Sequence, residues 1–355
     1  MAGVLKKYGF INAKLRARIS KILDDDFFSN LIRAHSVNEC IQLFKDTPFY
    51  IIESVYNKTG DLKMVELALF KHEMKLYIEI EKYVEGEVLS VVKALASRYE
   101  IDNLKNILRL WFDRAIRKRD ITAGYLYIYR DRIHNDLKVD QILSAETLED
   151  IAVYLKGTPY SEIIQDGLKE VSGKQSIFPV EILLDRYFSK ILLNEVEKLK
   201  GRDLKIARRL VGIEIDMQNV SWIVRFKRMY NLPFESAIRY ILPFGYLIKQ
   251  NELLSVYDTQ NISQIISGFM VKKYSGLKTM LTSQGDEGYS RLILIERIVD
   301  KIIMYEVEKI LLGYPFTIGI ILVYFILKRS EIRKIITILN AKQYNIEEDR
   351  IKSIL

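Results

Sequence analysis

Cysteine is all but missing from this chain. Cys40 stands alone in 355 residues, which excludes an internal disulfide and leaves a cysteine-based zinc site without ligands. The thiol follows Glu39 in an amphipathic stretch and reads as a small core residue, in keeping with a reducing, cytoplasmic compartment. Histidine is nearly as scarce. His35, His72 and His134 lie far apart, no two at the helical spacing that binds zinc, and each reads as an ordinary half-exposed side chain. Only six prolines and seventeen glycines punctuate the chain, too few for many short strands, and no run of period-two alternation is present. Long helices are what remains. Glycine-rich phosphate loops are also absent, since Gly201-Arg202-Asp203 and Gly285–Gly288 lack the required spacing and lysine. No Gly-x-Ser-x-Gly elbow occurs, so serine-nucleophile chemistry has no candidate either. The expectation is a non-enzyme with no cofactor and no metal.

Charge of one sign is not concentrated anywhere. Fifty-four basic and forty-six acidic residues give +8, and splitting the chain at residues 120 and 230 gives +4, +1 and +3. Only Arg114, Arg117, Lys118 and Arg119 cluster, and they read as a solvated helix end rather than a nucleic-acid patch. The N-terminus, with Lys6, Lys7, Lys14, Arg16 and Arg18, lacks an apolar run of signal-peptide length. One uncharged stretch of eighteen residues, Ile310 to Leu327, reaches membrane-span length between Lys309 and Lys328. Gly313-Tyr314-Pro315 cuts it. The twelve residues from Phe316 would make a helix of roughly 18 Å, short of the ~30 Å of hydrocarbon to be crossed. A buried core helix is expected.

What the chain does have is repetition. Glu79-Ile80-Glu81-Lys82-Tyr83 returns as Glu195-Val196-Glu197-Lys198-Leu199 and as Glu306-Val307-Glu308-Lys309-Ile310. Asn103-Leu104-Lys105-Asn106-Ile107-Leu108-Arg109 matches Asn219-Val220-Ser221-Trp222-Ile223-Val224-Arg225, and more loosely Glu331 to Thr337. Both segments recur after about 116 and then about 112 positions. Repetition on this scale implies one structural unit written several times. The expected fold is all-α, with three related helical subdomains over 1–120, 121–232 and 233–355 in a pseudo-threefold arrangement. The N-terminal segment is a candidate to pack with the third.

Local signals support helices. Ser36-Val37-Asn38-Glu39 and Thr147-Leu148-Glu149-Asp150 have the pattern of helix N-termini, and Asp24-Asp25-Asp26 places acids where a helix dipole favours them. Asn261-Ile262-Ser263-Gln264 fills the same slot in the third copy. Thr47-Pro48 and Thr158-Pro159 each end one helix and begin another, with Lys273-Tyr274 in their place in the third copy. Pro179 opens a long helix. Leu67, Phe70, Met74, Tyr77, Ile80, Val84, Val88, Val91 and Leu95 form one apolar stripe, which predicts a single helix of about thirty residues. Ser172–Ser176 and Gly285–Gly288 read as connecting loops.

Two sets of polar residues are shared between copies. Glu79 and Glu81 with their counterparts read as solvated ion pairs beside Lys82, Lys198 and Lys309, because residues two apart on a helix face different directions. Asn103 and Asn219 sit in apolar helical stretches, each followed six residues later by Arg109 or Arg225, with Glu331 in the third copy. The plainer reading is a helix cap and a solvated arginine. The sharper one is a polar lining built from copies of one position.

Taken with the repeats, the chain resembles the C subunits of the A/V-type rotary ATPases and is similar to the eukaryotic V-ATPase d subunits. The resemblance rests on Tyr8-Gly9-Phe10-Ile11-Asn12-Ala13-Lys14-Leu15-Arg16-Ala17, on the Tyr99–Arg109 segment, and on Lys328-Arg329-Ser330-Glu331-Ile332-Arg333 followed by Ile338, Lys342 and Ile351. Lys14 stands where the family has an arginine, keeping charge but losing the planar fork. The resemblance implies a funnel-like, non-catalytic subunit on the cytoplasmic face of the membrane. It would link central-stalk subunits to the proteolipid ring and transmit torque during ATP-coupled proton or sodium transport. No direct ATP binding and no nucleic acid are implied. Asn103, Arg109, Asn219, Arg225 and Glu331 are the candidate stalk-binding residues. The rival reading is an α-helical repeat module that binds RNA or a peptide.

Overall fold

A computed structural model describes residues 2–171, 176–228, 232–243, 245–255 and 288–355, with the single residues 257, 268 and 274. Among them every regular element is a helix, as expected. Two compact units can be distinguished: Met1–Ser20 with Val196–Leu327 and Ile354–Leu355, and Lys21–Glu195 with Lys328–Ser353.

The larger unit begins with α2 (Asp25–Arg33), α3 (Val37–Gln42) and α4 (Ile51–Thr59). The long pair α5 (Leu62–Glu81) and α6 (Gly86–Ala115) follows, then the one-turn α7 (Thr122–Tyr125). α8 (Val139–Ser144), α9 (Leu148–Tyr154) and α10 (Tyr160–Val171) come next, with most of α11 (Phe178–Lys198). The smaller unit contains α1 (Ala2–Ile19), α12 (Gly201–Arg228), the short α13 (Phe234–Ala237) and α14 (Gln250–Ser255), and α15 (Gly288–Leu312). The division crosses α16 (Gly319–Gln343) between Leu327 and Lys328, and α17 (Glu348–Ile354) ends the chain.

The N-terminal signals act as expected. Asp24 caps α2 by accepting from Phe27 N at 2.8 Å. Thr147 and Asp150 close a full capping box, Asp150 N donating to Thr147 Oγ1 at 3.2 Å and Thr147 N to Asp150 Oδ2 at 2.9 Å. Ser36 accepts from Glu39 N at 3.2 Å, but the Glu39 carboxylate reaches one residue further back, to His35 N at 2.8 Å. The two Thr-Pro corners are built alike. Thr47 Oγ1 donates to Phe44 O at 2.8 Å and accepts from Phe49 N, while Thr158 Oγ1 donates to Leu155 O at 2.7 Å and accepts from Tyr160 N. Phe49 and Tyr160, one residue past each proline, are both fully buried. The Asn261–Gln264 and Ser172–Gln175 segments, Lys273, and Gly285 to Glu287 lie outside the described residues.

The single helix expected across Leu67 to Leu95 is two helices. α5 stops at Glu81 and α6 starts at Gly86, whose φ of +58° is left-handed. Val84 keeps the apolar period running through the break, which is why periodicity alone joins the two halves. Gly201 repeats the device between α11 and α12 with φ +57°. Each copy of the Glu-x-Glu-Lys motif therefore closes a helix just before a break. In the third copy that break is the Gly313-Tyr314-Pro315 segment. The uncharged stretch beyond it is core, with Ile318, Ile321 and Val323 each fully buried. Its helix begins at Gly319, three residues later than Phe316, and no described helix is long and apolar enough to cross a membrane.

Candidate functional site

On α6, Glu100 and Asn103 are three residues apart and face the same way. Asn103 takes hold of a passing segment: its Nδ2 donates to Tyr129 O at 2.8 Å, and Tyr129 N donates back to its Oδ1 at 3.2 Å. Glu100 secures the next stretch. Its Oε2 accepts from His134 N and Asn135 N, both at 2.7 Å, and its Oε1 accepts from Asn135 Nδ2 at 2.6 Å and Tyr160 Oη at 2.7 Å. Glu100 is 1% exposed, so four donors replace the water that a buried carboxylate gives up. Burial and the neighbouring Glu100 push the Tyr160 hydroxyl far above its usual range.

The same construction recurs on α12. Asn219 Nδ2 donates to Leu242 O at 2.8 Å and Leu242 N donates to Asn219 Oδ1 at 2.8 Å. Asp216, three residues earlier, accepts from Tyr246 N at 2.8 Å and also from Leu247 N. In the third copy the chemistry changes while the job stays. Glu331 on α16 accepts from Leu23 N at 2.8 Å through Oε1 and from Lys328 Nζ at 2.7 Å through Oε2. Lys328 also lies 4.6 Å from the centre of the Phe49 ring. Burial raises the Glu331 carboxyl above its ordinary value, and the Lys328 ammonium opposes that only in part. Position 328 thus faces the aromatic residue after the Thr-Pro corner, as position 100 does.

Of the five candidate residues, Asn103, Asn219 and Glu331 are buried, the two amides engaged by the chain's own backbone and the Glu331 carboxylate shared between a backbone N–H and Lys328. None of the three caps a helix. The two arginines point outward. Arg109 Nε donates to Glu181 Oε1 at 2.6 Å and its side chain is 54% exposed; Arg225 is exposed on α12. Asn103 and Arg109 share the wall of a cavity of about 450 Å³ with Lys63, Glu66, Phe70 and Tyr127.

Glu100 and Asp216 escaped the sequence reading. Their signal was available, because an acid precedes each shared asparagine by three positions at the same repeat offset.

The Glu-x-Glu-Lys copies are not uniformly solvated pairs. Glu197 makes an exposed, forked pair with Arg208, whose Nε donates at 2.6 Å. Glu306 is instead 3% exposed and held by Arg209 Nη1 and Tyr274 Oη, each at 2.8 Å. An arginine reaching in from α12 makes that burial possible, which spacing along one helix cannot reveal. Arg117 and Arg119 share Asp113 at 3.0 and 3.6 Å, the solvated helix end expected there. No group of His, Cys, Asp and Glu suited to a metal ion occurs among the described residues.

Fold and site together define an all-α protein in which three long helices, α6, α12 and α16, carry buried polar side chains that fasten a crossing segment. The chain belongs to the ATP synthase (C/AC39) subunit family, whose model matches residues 11–354. It is similar to the C subunit of the A-type ATP synthase of Methanocaldococcus jannaschii, with 26% identity over 353 residues covering 99% of this chain and 86% of that one. The corresponding A-type ATP synthase protein of Thermococcus gammatolerans is 23% identical over 357 residues, covering 100% and 92%. That of Pyrococcus horikoshii is 22% identical over 350 residues, covering 98% and 90%. The family anticipated from the N-terminal, central and C-terminal motifs is the family found.

Proposed function

We propose that the chain is a non-catalytic rotor component of an A-type ATP synthase, joining central-stalk subunits to the membrane proteolipid ring and transmitting torque between them. It works at the cytoplasmic face of the membrane and binds no ATP itself. Three repeats, over 1–120, 121–232 and 233–355 in a pseudo-threefold relation, form part of this reading. The observation that carries it, beyond family membership, is the threefold recurrence of the buried clamp at Asn103, Asn219 and Glu331. A rotor part that passes on torque has to resist shear between its helices. Fully satisfied buried hydrogen bonds and close packing resist such shear, because neither deforms continuously. The clamps supply stiffness, while the exposed Arg109 and Arg225 offer charge to an acidic stalk surface.

The test is affinity capture of the tagged, full-length chain from detergent-solubilised membranes, with partners identified by mass spectrometry. Proteolipid and stalk subunits are expected together. Capture of nucleic acid or an unrelated protein without proteolipid overturns the reading. Charge reversal at Arg109 and Arg225 should weaken stalk capture while leaving the helical content intact. The isolated chain should show no ATP turnover.

A further inference from the structure

The break between α15 and α16 leaves a projecting corner in the smaller unit. Leu312 is 89% exposed and Tyr314 45% exposed, with the exposed Gly313 between them. Beneath the corner lies a cavity of about 310 Å³ whose walls include Arg202, Lys205, Ile206, Lys309, Ile310 and Tyr314. Its one carboxylate, Glu306, is already taken by Arg209 and Tyr274. Lys205 and Lys309 are exposed and have no acidic partner among the described residues, and the Arg202 guanidinium stacks 4.7 Å from the Tyr314 ring centre. Arg16 adds a further cation by donating to Leu311 O at 2.9 Å. The result is an apolar hollow rimmed with unneutralised positive charge, beside a leucine in full contact with water.

We propose that this corner is an anionic-phospholipid site, the phosphate held by Lys205, Lys309 and Arg202 while Leu312 and Tyr314 enter the hydrocarbon boundary. One lipid supplies both things the corner lacks, negative charge for the cations and an apolar medium for the leucine. An acidic polypeptide supplies the first readily and the second only by adding its own apolar residue at the right place. Aromatic rings beside basic side chains are the usual furniture of a membrane interface, where the ring sits at headgroup level and the cations meet phosphate. The inference does not rest on the rotor reading, since it concerns a lipid surface free of other proteins.

The experiment is co-sedimentation of the full chain with vesicles of phosphatidylcholine alone and of phosphatidylcholine mixed with phosphatidylglycerol. The wild-type chain should favour the mixed vesicles by about tenfold or more, less so as salt is raised. Lys205→Glu combined with Lys309→Glu should abolish the preference, and Leu312→Asp should reduce binding on its own. All three positions are exposed, and circular dichroism identical to wild type certifies each variant. Equal recovery on both vesicle types, no recovery on either, or unchanged binding by the variants overturns the proposal. So does retention on polyglutamate beads matching that on the mixed vesicles, which would assign the corner to an acidic protein. A wild-type chain that binds neither vesicle type yet still captures proteolipid would remove this site and leave the rotor reading standing.

Discussion

Asn103 holds Tyr129 by both of that residue's peptide groups, closing a two-bond ring between the middle of α6 and a segment 26 residues further on. Asn219 does the same to Leu242, 23 residues on. A side-chain amide suits this, since one donor and one acceptor leave no charge to bury. Asn103→Ala and Asn219→Ala would each strand a buried N–H and a buried C=O, at about 1–3 kcal/mol per group. Each variant should lose roughly 2 kcal/mol or more by urea denaturation. Arg109→Ala, which gives up an exposed ion pair, should lose about 1 kcal/mol or less.

The Lys328–Glu331 pair should behave differently. Removing the lysine alone leaves a buried carboxylate with a backbone N–H as its remaining partner, and breaking such a pair costs about 3–5 kcal/mol. Lys328→Met should therefore be severely destabilised. Adding Glu331→Gln should recover part of the loss, because a neutral amide still accepts from Leu23 N. The checkable result is a double variant more stable than the Lys328→Met single variant.

Glu73 sets a pH dependence. It is 7% exposed, and burial raises its carboxyl above the ordinary value despite opposing contributions from Tyr99, Arg329, Arg98 and Lys328. Since the folded state binds this proton more tightly than the unfolded chain, its contribution is fully present below the unfolded value. It is lost as pH rises through the folded one. Glu331 shifts the same way and for the same leading reason. Glu73→Gln should flatten the decline in stability across the mildly acidic range. Unfolding measured at matched salt through that range would show the smaller slope.

Cys40 should be silent towards thiol reagents in the native protein. Its side chain is fully buried, donates to Leu31 O at 3.4 Å, and is pushed by burial up to about 11. Thiolate is the reactive form, so modification should follow global unfolding and its rate should rise with denaturant.

Much of this architecture can be read from the residues, for specific reasons. Capping residues such as Asp24 and Thr147 act within four positions of themselves, so a local pattern suffices to find them. Repeats are visible because the same burial demand is written at the same offset. The break at Gly86 was hidden because Val84 continues the apolar stripe through it, and only comparison with Gly201 marks the position as a turn. What the shared asparagines do was hidden for a deeper reason. Tyr129 and Leu242 are gripped by their backbones, and a backbone group has no letter in a sequence. The buried state of Glu306 depends likewise on Arg209, nearly a hundred positions away and outside its motif.

The three fastenings differ in when they can form. During synthesis, Asn103 and Asn219 meet their partners after a few dozen further residues. Leu23 must wait for Glu331, 308 positions downstream, and Phe49 waits nearly as long for Lys328. The face that Phe49 and its neighbours present to α16 is therefore uncovered while almost the whole polypeptide is translated. Such late, distant closure slows folding and leaves apolar surface open to aggregation. A nascent chain stopped anywhere before α16 carries a first quarter that it has no means of finishing.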